Sequence, residues 1–117
     1  MDLTNKIEIT QREVCADYGA IYCPSPFENI IGISAQVKKG EEPIHGLRHP
    51  LSEGTNGWYV WAGEYSEDPD FFKPIHTEHI MDLYPSILKF LGLPPGWRFL
   101  KAHGYEDVWY DGELLKV

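Results

Sequence analysis

The feature that most constrains the fold of this chain is an aromatic strand that runs directly into an acidic loop, between residues 56 and 72. Side chains alternate across a strand, so Trp58, Val60 and Ala62 point to one face while Tyr59 and Trp61 point to the other. Both faces are apolar, and each must therefore be covered. One face belongs to the core, and the second is covered either by another layer of the same domain or by a partner molecule.

Length and composition indicate one domain over residues 1–117. The chain is too short for two ordinary domains, and its 43% hydrophobic and 14% aromatic residues can form a core without a metal or a disulfide. Cys15 and Cys23 are accordingly interpreted as reduced thiols. Residues 1–29 are expected to form an N-terminal helix and a proline-rich loop, and residues 30–117 the body of the domain. The first residues carry no apolar leader, which predicts a cytoplasmic location.

The charge of the chain is acidic and unevenly distributed. Ten Lys and Arg against eighteen Asp and Glu give a net charge of −8. This charge repels nucleic-acid phosphates and anionic membrane surfaces, and it is compatible with a basic partner. Residues 64–82 hold six acids and one base, which gives a local charge of −5. Acidity can simply serve solubility, but here most of the excess is concentrated just after the aromatic strand.

Local signals predict one helix and several strands in the first half of the chain. Thr10 and Glu13 have the spacing of a capping box and Gly19 can end a helix, which predicts a helix from Gln11 to Tyr18. Short strands are expected over residues 20–22, 30–37 and 44–49. Residues 56–57, Asn-Gly, are a strong turn signal and are expected to form the turn ahead of the aromatic strand.

The second half of the chain predicts two helical pieces followed by a hairpin. Apolar residues between 75 and 91 follow helical spacing, and Pro85 is expected to divide them into helices over residues 77–83 and 85–91. Strands over residues 97–100 and 105–110 then predict a C-terminal hairpin, with Arg98 paired to Asp107 or Glu106 across it. The predicted fold is α+β, a single small domain with a mainly antiparallel sheet of four to six strands and two or three helices packed on it.

Catalytic and metal-binding signatures are weak. His76 and His79 would share one face of a helix and are the candidate metal ligands, but the zinc-protease motif, two His four residues apart with a Glu directly after the first, is missing. Neither a nucleophile elbow nor a phosphate-binding loop is present in the sequence. No cofactor is expected. A small metal-assisted hydrolase that uses this histidine pair is one alternative function, and histidines that merely contact backbone or solvent are the simpler interpretation.

Five stretches of the sequence, three of which contain Trp, resemble a known family. They are Gly46–Pro50, Gly57–Glu64, Pro69–Phe72, Pro94–Phe99 and Tyr105–Tyr110, and they lie in roughly the last two thirds of the chain. In these stretches the chain is similar to small bacterial proteins of uncharacterised activity that carry the immunity protein 33-like domain, a group assigned to toxin-neutralising immunity proteins. The resemblance implies a protein-binding role and no catalytic residues, and it names no target.

Charge, aromatic content and this resemblance together favour a non-catalytic, acidic protein-binding module, an immunity-type protein whose partner would be a protein such as a basic toxin domain. Carboxylates would speed the encounter, and aromatic side chains would hold the complex. The candidate contact residues are Tyr59, Trp61, Glu64, Tyr65, Glu67, Asp68 and Asp70. A homodimeric structural domain that pairs through the same strand face is the other alternative.

Overall fold

The computed structural model describes residues 3–116. In this range, α-helices span Leu3–Tyr18 (α1), Ala35–Lys38 (α2) and Ile80–Leu83 (α3). Strands span Ile30–Ser34 (β1), Ile44–Arg48 (β2), Thr55–Ala62 (β3), Phe72–His76 (β4), Trp97–Ala102 (β5) and Tyr105–Tyr110 (β6). Short 3-10 turns cover Thr77–His79, Pro85–Phe90 and Gly112–Leu115.

The strands form one six-stranded sheet in the order β4-β1-β3-β2-β5-β6. β1 and β3 pair in parallel, and every other neighbouring pair is antiparallel. The aromatic strand β3 is therefore interior to the sheet, with Val60 opposite Ile33 on one side and Gly46 on the other. The predicted α+β fold with a mainly antiparallel sheet of four to six strands is confirmed.

The helices pack on one face of this sheet. Trp58, Val60 and Ala62 are buried there, as their alternation along β3 predicts. On the same face, the rings of Phe90 and Phe99 stack with centroids 4.3 Å apart. The apolar cluster also includes helix and turn residues, namely Cys15, Val37, Ile80, Ile87 and Leu88. This cluster accounts for the first apolar face of the aromatic strand.

An arginine is buried within this core. Arg48, the last residue of β2, has no accessible surface. Its guanidinium donates hydrogen bonds to the backbone carbonyls of Asn56, Cys23, Leu93 and Pro24, at 2.7, 2.8, 2.7 and 3.1 Å. Burial lowers the pKa of this group. The side chain thus holds the loop at Cys23 and Pro24 and the loop at Leu93 against strands β2 and β3. It can do so because its five N–H donors can serve several carbonyls at once.

The N-terminal helix is longer than predicted. α1 begins at Leu3, and Thr10 does not cap it, so the predicted capping box is wrong. The Thr10 hydroxyl instead donates to the Lys6 carbonyl one turn earlier, at 2.9 Å. The predicted end of the helix at Tyr18 is confirmed.

Residues 20–22 were predicted to form a strand, and this prediction is wrong. The segment from residue 20 to residue 26 is irregular, and it is tied to the rest of the domain by single hydrogen bonds. The Cys23 N–H donates to the Gly92 carbonyl at 2.8 Å, and the Ser25 hydroxyl donates to the Leu91 carbonyl at 2.5 Å. Because these bonds come from isolated positions, they do not form a strand ladder.

The strand predicted over residues 30–37 is too long, and the turn predicted at residues 56–57 is wrong. β1 ends at Ser34, and α2 follows at once, with Val37 buried. Asn56 and Gly57 lie inside β3, where the Asn56 side-chain amide donates to the Thr77 hydroxyl at 2.8 Å. The turn before β3 instead lies over residues 52–55, where the Thr55 N–H donates to the Ser52 carbonyl at 3.0 Å.

The region after the acidic loop differs most from the prediction. Phe72–His76 forms an edge strand, β4, paired with β1, whereas the sequence predicted a loop and then helical spacing from residue 75. Pro85 does separate two helical pieces, but the second, Pro85–Phe90, is a 3-10 turn. The predicted C-terminal hairpin is confirmed as β5 and β6.

Candidate functional site

The described helices lie on the first face of the sheet, and the second face of the aromatic strand points away from them. Tyr59 lies opposite Gly32 of β1 and Leu47 of β2. We name this surface the open face, and the strand residues on it that matter here are His45, Leu47, Tyr59, Trp61, Phe72, Arg98 and Trp109. Tyr59 keeps 39% of its surface accessible and Trp109 keeps 37%. The open face is therefore only partly shielded from solvent.

Trp61 is covered by its neighbours on the open face and is only 5% exposed. The imidazole of His45 stacks on its indole, with centroids 5.0 Å apart. Tyr65 and Phe72 approach the same indole edge-on, with centroid distances of 5.4 and 6.1 Å. The second apolar face of the strand is thus covered, at this position, by side chains of the chain itself.

Tyr59 lies on the same face but remains accessible. Its ring contacts Phe72 and His49 edge-on, with centroids 5.2 and 5.6 Å away. The ring also lies over Gly32, where an added Cβ would come 2.8 Å from Tyr59 Cδ1. The absence of a side chain at position 32 therefore lets the tyrosine lie flat across β1.

These residues surround a cavity of about 610 Å³ on the open face. Its walls include Leu47, His49, Leu51, Tyr59, Tyr65 and Phe72. Leu51 and Tyr65 are 51% and 58% exposed, so these two walls of the cavity are accessible to solvent. Its volume lies in the range of ordinary ligand pockets.

His49 contributes a hydrogen-bond acceptor to this cavity. Its Nδ1 lies 2.9 Å from the Leu114 carbonyl oxygen, and a carbonyl can only accept, so Nδ1 carries the proton. In the neutral imidazole, Nε2 is then an acceptor. The C-terminal turn that provides this carbonyl thus fixes the tautomer of a residue that lines the cavity.

The acidic loop connects Tyr65 to Phe72 at the side of the cavity. Glu64, Glu67, Asp68 and Asp70 are all exposed. Asp68 organises the loop, because its Oδ1 accepts the Asp70 N–H at 2.8 Å and its carbonyl accepts the Phe71 N–H at 2.9 Å. Among these four acids the structure shows one ion pair in the described chain, a loose one of 3.8 Å from Asp70 to Lys73.

The structure therefore brings the predicted aromatic residues together. Tyr59, Trp61 and Tyr65 all contact Phe72. Three of the four predicted acids lie on the loop between Tyr65 and Phe72, and the fourth, Glu64, directly precedes Tyr65. Phe72 and His49 were not among the predicted site residues. A strand pattern for residues 72–76 would have put Phe72 on the open face, but the Pro at position 74 weakens that pattern.

Residues 10–111 match the family model described as the Imm33-like domain. The chain belongs to the Imm33-like family. No match was found among curated proteins or among solved structures. The family match covers residues 10–18 of α1 and therefore begins well before Gly46, the first residue of the stretches that carry the resemblance.

The candidate metal ligands of this Imm33-like chain do not form a ligand set. His76 ends β4 and His79 lies in the following 3-10 turn, so the two do not share a helix face. Their ring centroids are 6.3 Å apart. Within residues 3–116, no group of three or more His, Cys, Asp or Glu is placed to hold a metal ion. The pair therefore offers no geometric support for the hydrolase alternative.

The cysteines of this family member lie away from the open face. Both are free thiols, and the Cys15 Sγ donates to the Gly92 carbonyl at 3.3 Å in the core. Burial raises the pKa of the Cys15 thiol. A raised pKa keeps this group protonated and a poor nucleophile at neutral pH.

Arg98 pairs differently from the prediction. Its Nη1 lies 3.2 Å from Asp111 Oδ2, and its guanidinium lies over the Trp109 ring at 5.6 Å. Glu106 is engaged by Lys89 at 2.7 Å. The predicted pairing with Asp107 or Glu106 is wrong because Trp109 is the residue directly opposite Arg98 across the hairpin.

Both edges of the Imm33-like sheet carry features that discourage strand addition. The edge strand β4 contains Pro74, which has no N–H to offer. On the other edge, the Asp107 carboxylate accepts the Val108 N–H at 2.9 Å within β6 itself. Charged residues and proline at sheet edges are common protections against pairing with another chain.

None of the helices in residues 3–116 is long and apolar enough to cross a membrane.

Proposed function

We propose that this Imm33-like protein is a non-catalytic immunity protein that binds and neutralises a cognate bacterial toxin in the cytoplasm. The binding surface is the open face together with the acidic loop. The observation that carries this proposal is the union, on one side of the sheet, of a partly exposed aromatic cavity with the exposed acids at residues 64–70. Family membership supports the immunity role.

Contact through the face of the sheet fits this surface better than strand addition. Pro74 interrupts the donors of one edge, and the Asp107 carboxylate occupies a backbone donor of the other. Tyr59 and Tyr65 instead present accessible rings on the face. Tyrosine is enriched at interface hot spots because it offers large contact area with few rotatable bonds. Trp61, which is buried, contacts Tyr65 directly, and Phe72 contacts both Trp61 and Tyr59.

The charge of the surface favours a basic partner over a second copy of this chain. A symmetric dimer brings the same patch of each subunit together, and here that would set the loop acids Glu64, Glu67, Asp68 and Asp70 against their own copies. Like charges in apposition cost affinity, whereas a basic partner is steered toward the loop. The homodimer alternative therefore requires a surface other than this one.

The test is protection from, and association with, the toxin-like product of a neighbouring gene. The diagnostic variant is Glu67→Gln/Asp68→Asn/Asp70→Asn, which removes three charges but keeps an oxygen acceptor at position 68 for the Asp70 N–H. We expect slower association and a weaker salt dependence, with the free protein still folded. Unchanged association kinetics and full protection would contradict the role of the loop.

A matched control removes three charges from elsewhere. Glu13→Gln/Asp17→Asn/Glu28→Gln alters exposed acids of α1 and of the segment before β1. This variant has the same net charge as the loop variant, so a general effect of acidity would slow both equally. The proposal requires that the loop variant slow association much more. Sizing of the free protein at low and high concentration tests the homodimer alternative.

A further inference from the structure

The open-face cavity has a chemical character of its own. Among the described residues that line it, none is Asp, Glu, Lys or Arg, and its exposed members are Leu51, Ser52, Tyr59 and Tyr65. Polar atoms are nevertheless present, because the hydroxyls of Ser52 and Thr55 and the imidazole of His49 also line it. The cavity therefore combines aromatic faces with hydrogen-bond acceptors.

Acids stand next to this uncharged cavity along the chain. Glu53 follows Ser52, and Glu64 precedes Tyr65, while Glu67, Asp68 and Asp70 lie on the loop that leads from Tyr65 to Phe72. All five carboxylates are exposed. A partner side chain that approaches the cavity is thus attracted by the carboxylates of neighbouring residues and meets aromatic rings inside. This combination selects a cation over an anion or a purely apolar group.

We propose that the cavity receives an arginine side chain of the protein partner, an inference that rests on the proposed function. A guanidinium is planar and stacks on aromatic rings, and it loses less hydration than an ammonium when it does so. Its N–H groups can donate to the Tyr59 hydroxyl, to His49 Nε2 and to a carboxylate at the mouth. His49 fits this role because its Nδ1 proton is already donated to the Leu114 carbonyl.

The test is an NMR titration of the intact chain with three blocked tripeptides, Gly-Arg-Gly, Gly-citrulline-Gly and Gly-Lys-Gly. Citrulline keeps the shape of arginine and lacks its charge. We expect saturable shifts of the Tyr59, Tyr65 and His49 signals, with the arginine peptide bound about fivefold or more tightly than the citrulline peptide. Lysine should bind more weakly than arginine, and added salt should weaken both.

Two variants locate the binding site. Tyr65→Ala removes an accessible wall of the cavity, and Tyr105→Ala removes a tyrosine of similar exposure, 54% against 58%, that does not line it. The inference requires that the first variant lose the arginine peptide and the second keep it. Equal binding of arginine and citrulline, shifts confined to residues outside the cavity, or no saturable shift would overturn it.

The outcome separates this inference from the proposed function. If the loop-neutralised variant fails to protect from the toxin while the arginine peptide leaves the cavity signals unchanged, the immunity role stands and the arginine assignment fails. If the peptide binds in the cavity and the toxin is not neutralised, the chemistry of the cavity stands and the immunity role fails.

Discussion

His45 lies flat against Trp61, with ring centroids 5.0 Å apart and ring planes 15° apart. Burial under this stack, and to a smaller extent the positive charge of Arg98, lowers the pKa of His45. An unfolded histidine titrates near pH 6.5, so below about that pH the unfolded chain binds more protons at this site than the folded chain does. The folded state therefore loses stability as the pH falls through this window.

We predict that His45→Phe reduces this loss, because phenylalanine keeps the stack and cannot be protonated. Urea unfolding at a series of pH values from 7.5 down to 5 would measure it. The matched control is His103→Gln, at an exposed position of the β5–β6 turn, which should leave the pH dependence close to that of the original chain. Equal pH slopes for His45→Phe and the original chain would disprove the assignment to His45.

Arg48 yields a prediction about stability alone. Arg48→Met removes the donors that serve four backbone carbonyls, two of them in buried hydrogen bonds, and each carbonyl left unsatisfied in the core is costly, so we expect the free energy of unfolding to fall by about 3 kcal/mol or more. The stability of Arg48→Lys should lie between that of the original chain and that of Arg48→Met, because an ammonium has three donors and cannot reach all of the same carbonyls. Chemical unfolding monitored by tryptophan fluorescence measures both changes.

Arg12→Met is the control for this pair of variants. Arg12 is exposed on α1 and forms an ion pair with Glu8 at 2.9 Å and a cation–π contact with Tyr22. Its loss should cost about 1 kcal/mol or less. A similar cost for Arg12→Met and Arg48→Met would mean that the buried carbonyl network is not what stabilises the fold.

Much of this fold was predictable because its strands have strong local patterns. The alternation along β3 correctly placed Trp58, Val60 and Ala62 on one face, and the segments 97–100 and 105–110 were recognisable as a hairpin. The class of the fold followed from these elements together. Local composition was sufficient here because the residues that shape each strand lie next to one another in the chain.

Other elements depended on contacts between distant residues. Asn56 and Gly57 have the composition of a turn, yet they extend β3, because the Asn56 amide bonds to Thr77 and Gly57 accommodates the carbonyl of His49. Arg48 is buried because it meets carbonyls from residues up to 45 positions away. A single sequence does not show which distant residues will pair, and such tertiary contacts override local secondary-structure propensity.

The candidate site shows the same division. Tyr59, Trp61, Tyr65 and the acids were predicted because they lie close together between residues 59 and 70, whereas Phe72 and His49 were not predicted. The sequence did not predict that Trp61 would be buried and that Tyr59 and Tyr65 would stay accessible. This difference depends on His45 of a neighbouring strand and on the unpredicted strand β4.

Because Trp61 is buried and Tyr65 is exposed, their substitution by alanine should affect different properties, stability for Trp61 and binding for Tyr65. Trp61→Ala should lower the free energy of unfolding by about 3–5 kcal/mol, as expected for a buried aromatic residue. Tyr65→Ala should change it by about 1 kcal/mol or less and should instead weaken the complex with the toxin. Urea unfolding of the free proteins and equilibrium binding to the partner measure the two effects separately. A Tyr65→Ala protein with full affinity would remove Tyr65 from the interface.

Two glycines on opposite faces of the sheet allow the same substitution to be compared in the core and at the site. A Cβ at position 46 would overlap the Phe99 ring, and one at position 32 would lie 2.8 Å from the Tyr59 ring. Phe99 is enclosed by the core and cannot move aside, so Gly46→Ala should destabilise the fold by about 1–3 kcal/mol or more.

Tyr59 is 39% exposed, so its ring can shift into solvent. Gly32→Ala should therefore cost less stability than Gly46→Ala, while it displaces a wall of the cavity and weakens partner binding. Thermal unfolding and binding assays on both variants check the contrast, and a Gly32→Ala protein that loses as much stability as Gly46→Ala would show that Tyr59 is held rigidly in place.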